Sequence, residues 1–455
     1  MKMKKSHPLV FGTFILTLTG LVSRIIGFFY RIYLSRLFGE EGMGIYQLLS
    51  PVLSLSFSLT AAGYQTAISK LVAEQAAKEN RISLRPLAVG LSISLPLSLL
   101  CNAVVYVLAD PIAGVLLQEP RTASMLRILS FSIPLSAVHS CINGHFYGVK
   151  KAEIPAASQL LEQITRVGCV YIISARCLSM GKTPSISSAV LGLTVGELFS
   201  MLLSIIAAWY CFPSGRATHG LLTLSGKSRS AAGSLYGALL SMALPLTANR
   251  IVLNLLQSIE SVSIPARLRL YGYDNVTALS VYGVLTGMAM PFIFFPNALT
   301  SSVAILLLPM ISESYALGDI PAVKSAAVRT VKYCGLMGAC CMTGFVLFGN
   351  WAGNAFFHSP LAGYFITTLG FICPFLYLDT TLSSILQGLG MAGHIFVMNV
   401  ICLVIRLAFV FLAVPRFGIT GYLWGLLASQ LTLGLLYLGC LYHFFRRQSK
   451  QKAAH

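Results

Sequence analysis

Apolar stretches long enough to cross a bilayer recur along the whole chain, and no soluble fold can bury so many of them. A bilayer core is about 30 Å thick, so each helical crossing needs about 20 predominantly apolar residues. Twelve such stretches are predicted, at roughly 10–36, 44–69, 86–109, 123–146, 155–178, 186–211, 232–260, 277–305, 327–349, 361–387, 394–414 and 418–445. Of the 455 residues 56% are hydrophobic and only 10% charged, which leaves too little polar surface to coat a soluble globule. An all-α membrane protein with about twelve transmembrane helices follows. The run after MKMKK outlasts the apolar core of a signal peptide, contains arginines and lacks a small-residue cleavage signature, so it is predicted to be the first span.

A net charge of +18 suggests a nucleic-acid partner until the basic residues are located. Assigning alternate loops to one side puts 19 of the 32 Lys and Arg there, 8 on the other side and 5 within the spans. The 19-residue side is predicted to be cytoplasmic by the positive-inside rule, which puts both termini in the cytoplasm. Most of the basicity is therefore topological, and no nucleic-acid partner is expected. The eleven cysteines are scattered over the spans without a C-x-x-C, as small apolar residues of helix interfaces would be.

The two halves of the chain resemble each other at a nearly constant shift. LRILSFSIPL at 126–135 lies over FITTLGFICPF at 365–375 with a shift of 240, pairing Leu129 with Leu369, Phe131 with Phe371 and Pro134 with Pro374. The same shift pairs Gly148 with Gly388, Ala152 with Ala392 and Arg166 with Arg406. Upstream, LVAE at 71–74 meets MISE at 310–313, Tyr46 meets Tyr282, and RLFG at 36–39 meets RLYG at 269–272, the shift having drifted only to 233. A duplicated six-helix unit with small indels leaves this pattern. Because six is even, the two lobes share one orientation, and such parallel repeats place a substrate path near the midplane between them. The expected division is a lobe at 1–211, a cytoplasmic linker at 212–231 and a lobe at 232–455.

Several classes are disfavoured by what the sequence lacks. It has no G-x-x-x-x-G-K-[ST] loop, no H-E-x-x-H, no histidine pair at ligand spacing and no sizeable extramembrane domain. Neither an enzyme nor a catalytic residue, metal or cofactor is expected.

The informative residues are charges inside the spans, where a central arginine costs about 2.5–3.5 kcal/mol and therefore faces a bundle interior or a water-filled cavity. In LVSRIIGFFYRIYLSRLFG, residues 21–39, Arg24 and Arg31 are seven apart and share one helix face, while Arg36 sits at the outer boundary within reach of the interface. Gly20 and Gly27 form a neighbouring stripe expected to permit close helix approach. Five intramembrane arginines (24, 31, 166, 250 and 406) face four intramembrane acids: Glu162, Glu197, Glu260 and Asp379. Glu162 and Arg166 are spaced to pair along one helix. The others allow two readings: Arg24 and Arg31 pair with Glu260, Glu197 or Asp379, and Arg250 with Glu260 or a backbone carbonyl, so that they only fix packing, or they line a cavity for an anion such as a pyrophosphate. In the second reading Arg24, Arg31, Arg250 and Glu260 form the substrate site. His139 and Asp379 occupy equivalent places in the repeat, each followed four residues later by a polar residue, Asn143 and Ser383. Either these residues make helix-packing hydrogen bonds, or with Glu197 they line a polar path in which Asp379 is the best placed residue for a coupling proton or sodium ion.

SRIIGFFYRIYLSRLFG, then GIYQLLSPV and AAGYQTAISKLVAE, resemble the opening of the polysaccharide-flippase branch of the multidrug/oligosaccharidyl-lipid/polysaccharide exporter superfamily. SIESVSIPARLRLYG and PFIFFPNALTSSVAILLLPMISE resemble the matching region of the second half, and S-R-x-x-G-F is also similar to the first helix of the lipid II flippase family. The resemblance spans essentially the whole chain. It implies a MATE-like pair of six-helix lobes that moves lipid-pyrophosphate-linked saccharides across the bacterial cytoplasmic membrane by alternating access, with arginines holding the pyrophosphate. That role carries onto Arg24, where S-R-x-x-G-F matches, and less directly onto Arg31. Many members of the branch have fourteen helices; twelve are read here, as in the superfamily's drug exporters. Two alternatives stay open: a proton- or sodium-coupled multidrug exporter, and a non-transporting scaffold in contact with membrane lipids and cell-wall synthesis enzymes.

Overall fold

The computed structural model describes residues 8–79, 83–211 and 229–453. Helices account for nearly all of them, and no strand occurs among the described residues. Two compact units form, one from Met1–Tyr30 with Leu48–Ser258 and the other from Arg31–Gln47 with Ile259–His455. Two of these boundaries fall inside long helices, α1 (Pro8–Gln47) and α9 (Arg229–Tyr271). Of the expected linker at 212–231, residues 212–228 lie outside the described residues.

Ten helices of the described residues are long and apolar enough to cross a membrane, or eleven if a bent pair counts as one span. The expected spans outside that set have physical reasons for their departure. The one at 44–69 falls on α2 (Ser50–Phe57) and α3 (Gly63–Glu79), which run into each other through a π-helical turn at Ser58–Ala62, and the polar Ser54, Ser56, Ser58, Thr60, Gln65 and Thr66 lower the hydropathy of the stretch. The one at 155–178 falls on α7 (Glu153–Ser179), whose Glu153, Glu162, Arg166 and Arg176 lower its hydropathy. The one at 277–305 is divided at Phe295–Pro296 into α10 (Asn275–Phe294) and α11 (Asn297–Ala316).

In the first unit, α3, α4 (Arg85–Val107), α6 (Ser132–Gly148) and α9 close a core of Tyr64, Ile68, Leu71, Cys141, Phe146 and Leu239. Polar side chains inside this core find backbone partners, as where the Ser94 hydroxyl donates to the Thr60 carbonyl at 2.5 Å. In the second unit, α11 (Asn297–Ala316), α12 (Ile320–Phe357), α14 (Cys373–Gly388), α15 (Ala392–Leu412) and α16 (Ile419–Ala453) enclose Ile311, Val323, Leu382, Ile385, Leu386 and Leu433.

The sequence repeat is reproduced inside each unit. Helix α5 (Thr122–Ser130) gives way to α6 at Phe131, and α13 (Pro360–Gly370) gives way to α14 at Phe371–Ile372 with a bend of 57°. Pro134 and Pro374, 240 apart, stand just inside the second helix of each pair, where a proline's missing amide leaves no bond unmade. Both second helices end on a glycine that allows a close crossing. A Cβ on Gly148 would lie 2.6 Å from Val72 Cβ, and one on Gly388 would lie 2.9 Å from Ile311 Cγ2. We expect Gly148→Leu and Gly388→Leu each to destabilise the protein by about 1–3 kcal/mol through overpacking. The check is the thermal melt of purified protein in detergent; a melt unchanged from wild type in either variant would show that crossing to be slack.

Arg36 has a structural place. Its Nε and terminal nitrogen donate to the carbonyls of Phe356 and Ala355 at 2.9 and 2.8 Å, satisfying the free carbonyls at the end of α12. Three residues later α1 kinks at Gly39, whose φ of 69° suits glycine.

Candidate functional site

The three arginines expected to bind an anion fall in different environments. Arg24, in the middle of α1, is exposed and has neither a hydrogen bond nor an ion pair among the described residues. Gly20 and Gly27 beside it meet nothing within 4 Å, so the glycine stripe faces open space and does not bring a described helix close. Arg250 is likewise exposed and without a partner among the described residues. It lies on α9 between two residues that dock that helix: Thr247, packed against Gly63, and Asn254, which donates to the Ser58 hydroxyl. Arg24 and Arg250 belong to the first unit, whereas Arg31 belongs to the second, is half-buried and is engaged by other groups.

Glu260 departs from its expected role as a substrate ligand. It is 3% exposed, and both carboxylate oxygens are taken, one by the Arg406 guanidinium and the other by the Tyr422 hydroxyl at 2.8 Å. Nor is it a partner for Arg24, Arg31 or Arg250, because a buried carboxylate pairs with the cation that can be desolvated along with it. This triad is a closed structural element of the second unit.

The first unit gathers its polar path on three helices. His139 from α6 places Nδ1 3.1 Å from Oε2 of Glu197 on α8 (Ser187–Cys211). Glu162 on α7 pairs with Arg166 one turn later, as the spacing predicted. The ligating atoms of His139, Glu162 and Glu197 all lie within 4.8 Å of one another. Gly192 and Gly196 create the room, since a Cβ on Gly196 would sit 2.9 Å from the Glu162 carbonyl and one on Gly192 would sit 3.0 Å from that of Arg166. Below this cluster a hydroxyl chain continues: Ser158 and Ser200 bond at 2.6 Å, and Ser204 donates to Asn143 Oδ1 at 3.3 Å. Sequence reasoning placed His139, Asn143 and Glu197 here but left Glu162 out, having satisfied it with Arg166.

In the second unit Asp379 is 6% exposed, and neither carboxylate oxygen has a hydrogen-bond partner among the described residues. Gly434 on α16 leaves it space, since a Cβ there would sit 3.2 Å from Oδ1. Cys402 and Tyr437 lie near enough to feel its charge, with Asn399 donating to the Tyr437 hydroxyl at 3.0 Å and Ser383 beside that tyrosine. Hydroxyls, carboxyls and one imidazole arranged in this way can hold and pass small cations or protons.

Residues 9–315, two-thirds of the chain, match the family model described as polysaccharide biosynthesis protein. The chain belongs to that family. Stage V sporulation protein B of Bacillus subtilis (strain 168) is 29% identical over 429 residues, covering 94% of this chain and 82% of that protein. The lipid II flippase MurJ of the same organism is 22% identical over 425 residues, covering 88% of this chain and 76% of the flippase. Among solved structures, an inward-closed lipid II flippase MurJ superposes with a TM-score of 0.71 at 14% identity, over 94% of this chain and 87% of its own. An inward-facing multidrug resistance MATE family transporter of the MOP superfamily gives 0.70 at 16% identity, over 97% and 99%. The exporter-superfamily fold and the resemblance to its polysaccharide branch are thereby borne out. The MurJ proteins are named as flippases and the MATE protein as a transporter, not as enzymes, and the chain is a multi-pass membrane protein.

Proposed function

We propose that the protein is a flippase that moves a lipid-pyrophosphate-linked saccharide across the bacterial cytoplasmic membrane by alternating access, with both termini in the cytoplasm. The observation that carries this reading is the uncompensated charge of Arg24 and Arg250, two exposed guanidiniums in membrane helices with no acid beside them among the described residues. Guanidinium forks match pyrophosphate oxygens through paired, charge-assisted hydrogen bonds. The family match and the similarity to a protein named lipid II flippase point the same way. Arg31 contributes less, since other groups already engage it. Purified protein in liposomes is expected to translocate a fluorescent undecaprenyl-pyrophosphate saccharide and to ignore the same lipid with an uncharged headgroup. Equal transport of both lipids, or of neither, would overturn the reading.

One observation favours a second reading, a cation-coupled multidrug exporter: the buried carboxylate of Asp379 stands without a hydrogen-bond partner among the described residues. In the same liposomes that reading requires efflux of a cationic dye that collapses with the proton or sodium gradient and in Asp379→Asn. Dye efflux with no movement of the pyrophosphate lipid would replace the first reading by the second.

A further inference from the structure

The cluster on α6, α7 and α8 has a charge count that its fold must balance. Arg166 offsets Glu162, which leaves Glu197 facing His139. With a neutral imidazole the four groups carry one net negative charge, and the side chains of His139 and Glu197 are only 12% and 14% exposed. An uncompensated carboxylate at that depth is expensive, whereas an imidazolium turns the cluster into two neutral ion pairs.

The duplicated sequence supplies a second view of the same positions. At the shift of 240 that pairs His139 with Asp379, Glu162 falls on Cys402, Glu197 on Tyr437 and Arg166 on Arg406. The counterparts again belong together in their own unit, Cys402 and Tyr437 sharing one packed cluster and both lying near enough to Asp379 to feel its charge. There Arg406 turns to Glu260, so Asp379 is once more a single carboxylate in excess. Each unit is thus left one positive charge short of neutrality, by Glu197 in the first and by Asp379 in the second once Arg406 is assigned to Glu260. A packing role would favour neutrality at both.

The donor set selects the cation that restores it. A divalent metal would draw on His139 and both glutamates, yet Glu162 is already held by a guanidinium that would then sit beside a dication. Sodium takes hard oxygen donors and gains little from an imidazole. A proton suits a histidine beside a carboxylate. From the helices packed against α6, the charged groups that reach His139 are Glu197 of α8 and Glu162 of α7, the latter tied to Arg166. Tyr64 of α3 and Ser94 of α4 face the other side of α6, toward Cys141, and His145 is on α6 itself.

We propose that His139 and Glu197, backed by the Glu162–Arg166 pair, form a proton-binding site of the first unit, the counterpart in the repeat of Asp379 in the second. Loading adds one proton from water to a ring nitrogen lone pair and gives an imidazolium–carboxylate pair. Release returns that proton to water and leaves the Glu197 carboxylate without its counter-charge, the state that burial disfavours. The site holds its proton whatever cargo the protein carries.

The test is nitrogen NMR of the full chain in lipid nanodiscs with isotope-labelled histidine, the His139 ring being assigned by its loss in His139→Gln. The wild-type ring is expected to read as imidazolium at neutral pH, to become neutral in Glu197→Gln, and to be unchanged when sodium is exchanged for choline or when zinc is added. A neutral wild-type ring, a ring that stays charged in Glu197→Gln, or a signal displaced by sodium or zinc would each overturn the proposal. The wild-type spectrum decides the matter even if a variant folds poorly, and no outcome depends on transport.

Discussion

Arg24→Ala is expected to lower translocation of a pyrophosphate-linked lipid by about ten- to a hundredfold, the loss of one charged hydrogen-bond donor worth about 1.5–3 kcal/mol. Its stability should hardly change. Arg24 is exposed, and no described residue depends on it for a hydrogen bond or ion pair. Substitutions away from such features usually fall within about 0.5 kcal/mol of wild type. That separation makes the experiment informative, because lost transport at an unchanged melting temperature assigns the arginine to the cargo. Arg24→Lys keeps the charge but not the planar fork, so an intermediate rate is expected. The double variant with Arg250→Ala asks whether the two guanidiniums hold one anion. Losses that fail to add would show them sharing it, and additive losses would show them acting apart. Transport by Arg24→Ala at the wild-type rate would remove this residue from the anion site.

Sequence periodicity made the helices and the duplication legible because both depend on local pattern. Helix interruptions at Phe131 and Phe371–Ile372 and close crossings at Gly148 and Gly388 follow from residues that match at one shift. Glu162 with Arg166 was equally readable, since four residues along a helix fix the distance. What local pattern does not fix is which helix stands opposite. Glu260 was available in principle to any intramembrane arginine, and it is held by Arg406, 146 residues away, with Tyr422 on its other oxygen. Arg24 and Arg31 share a helix face by spacing, yet their helix passes from one compact unit into the other between them. Gly20 and Gly27 satisfy a close-approach pattern and border open space. The grouping of Glu162 with His139 and Glu197 had a signal in the repeat. Following the shift from His139 through Glu162 and Glu197 leads to Asp379, Cys402 and Tyr437, three positions that meet in their own unit.

The largest loss of stability is expected from Arg406→Ala. Glu260 is 3% exposed and receives both the Arg406 guanidinium and the Tyr422 hydroxyl. Removing the arginine strands a carboxylate where water does not reach, and breaking a buried pair from one side costs about 3–5 kcal/mol. Tyr422→Phe removes one neutral donor to the same carboxylate and should cost about 1–3 kcal/mol. Arg166→Ala should fall below Arg406→Ala, because Glu162 and its neighbours are less deeply buried and His139 stays nearby to supply positive charge. Replacing both partners in Glu260→Leu/Arg406→Met removes the stranded charge along with its counter-charge, so it should recover much of the loss. The expected order of thermal melts in detergent therefore puts Arg406→Ala lowest, with Arg166→Ala and Tyr422→Phe above it and the double variant near wild type. An Arg406→Ala protein that melts with wild type would mean that Glu260 is not held as a charged pair. A double variant as unstable as the single one would mean that the arginine contributes packing rather than charge.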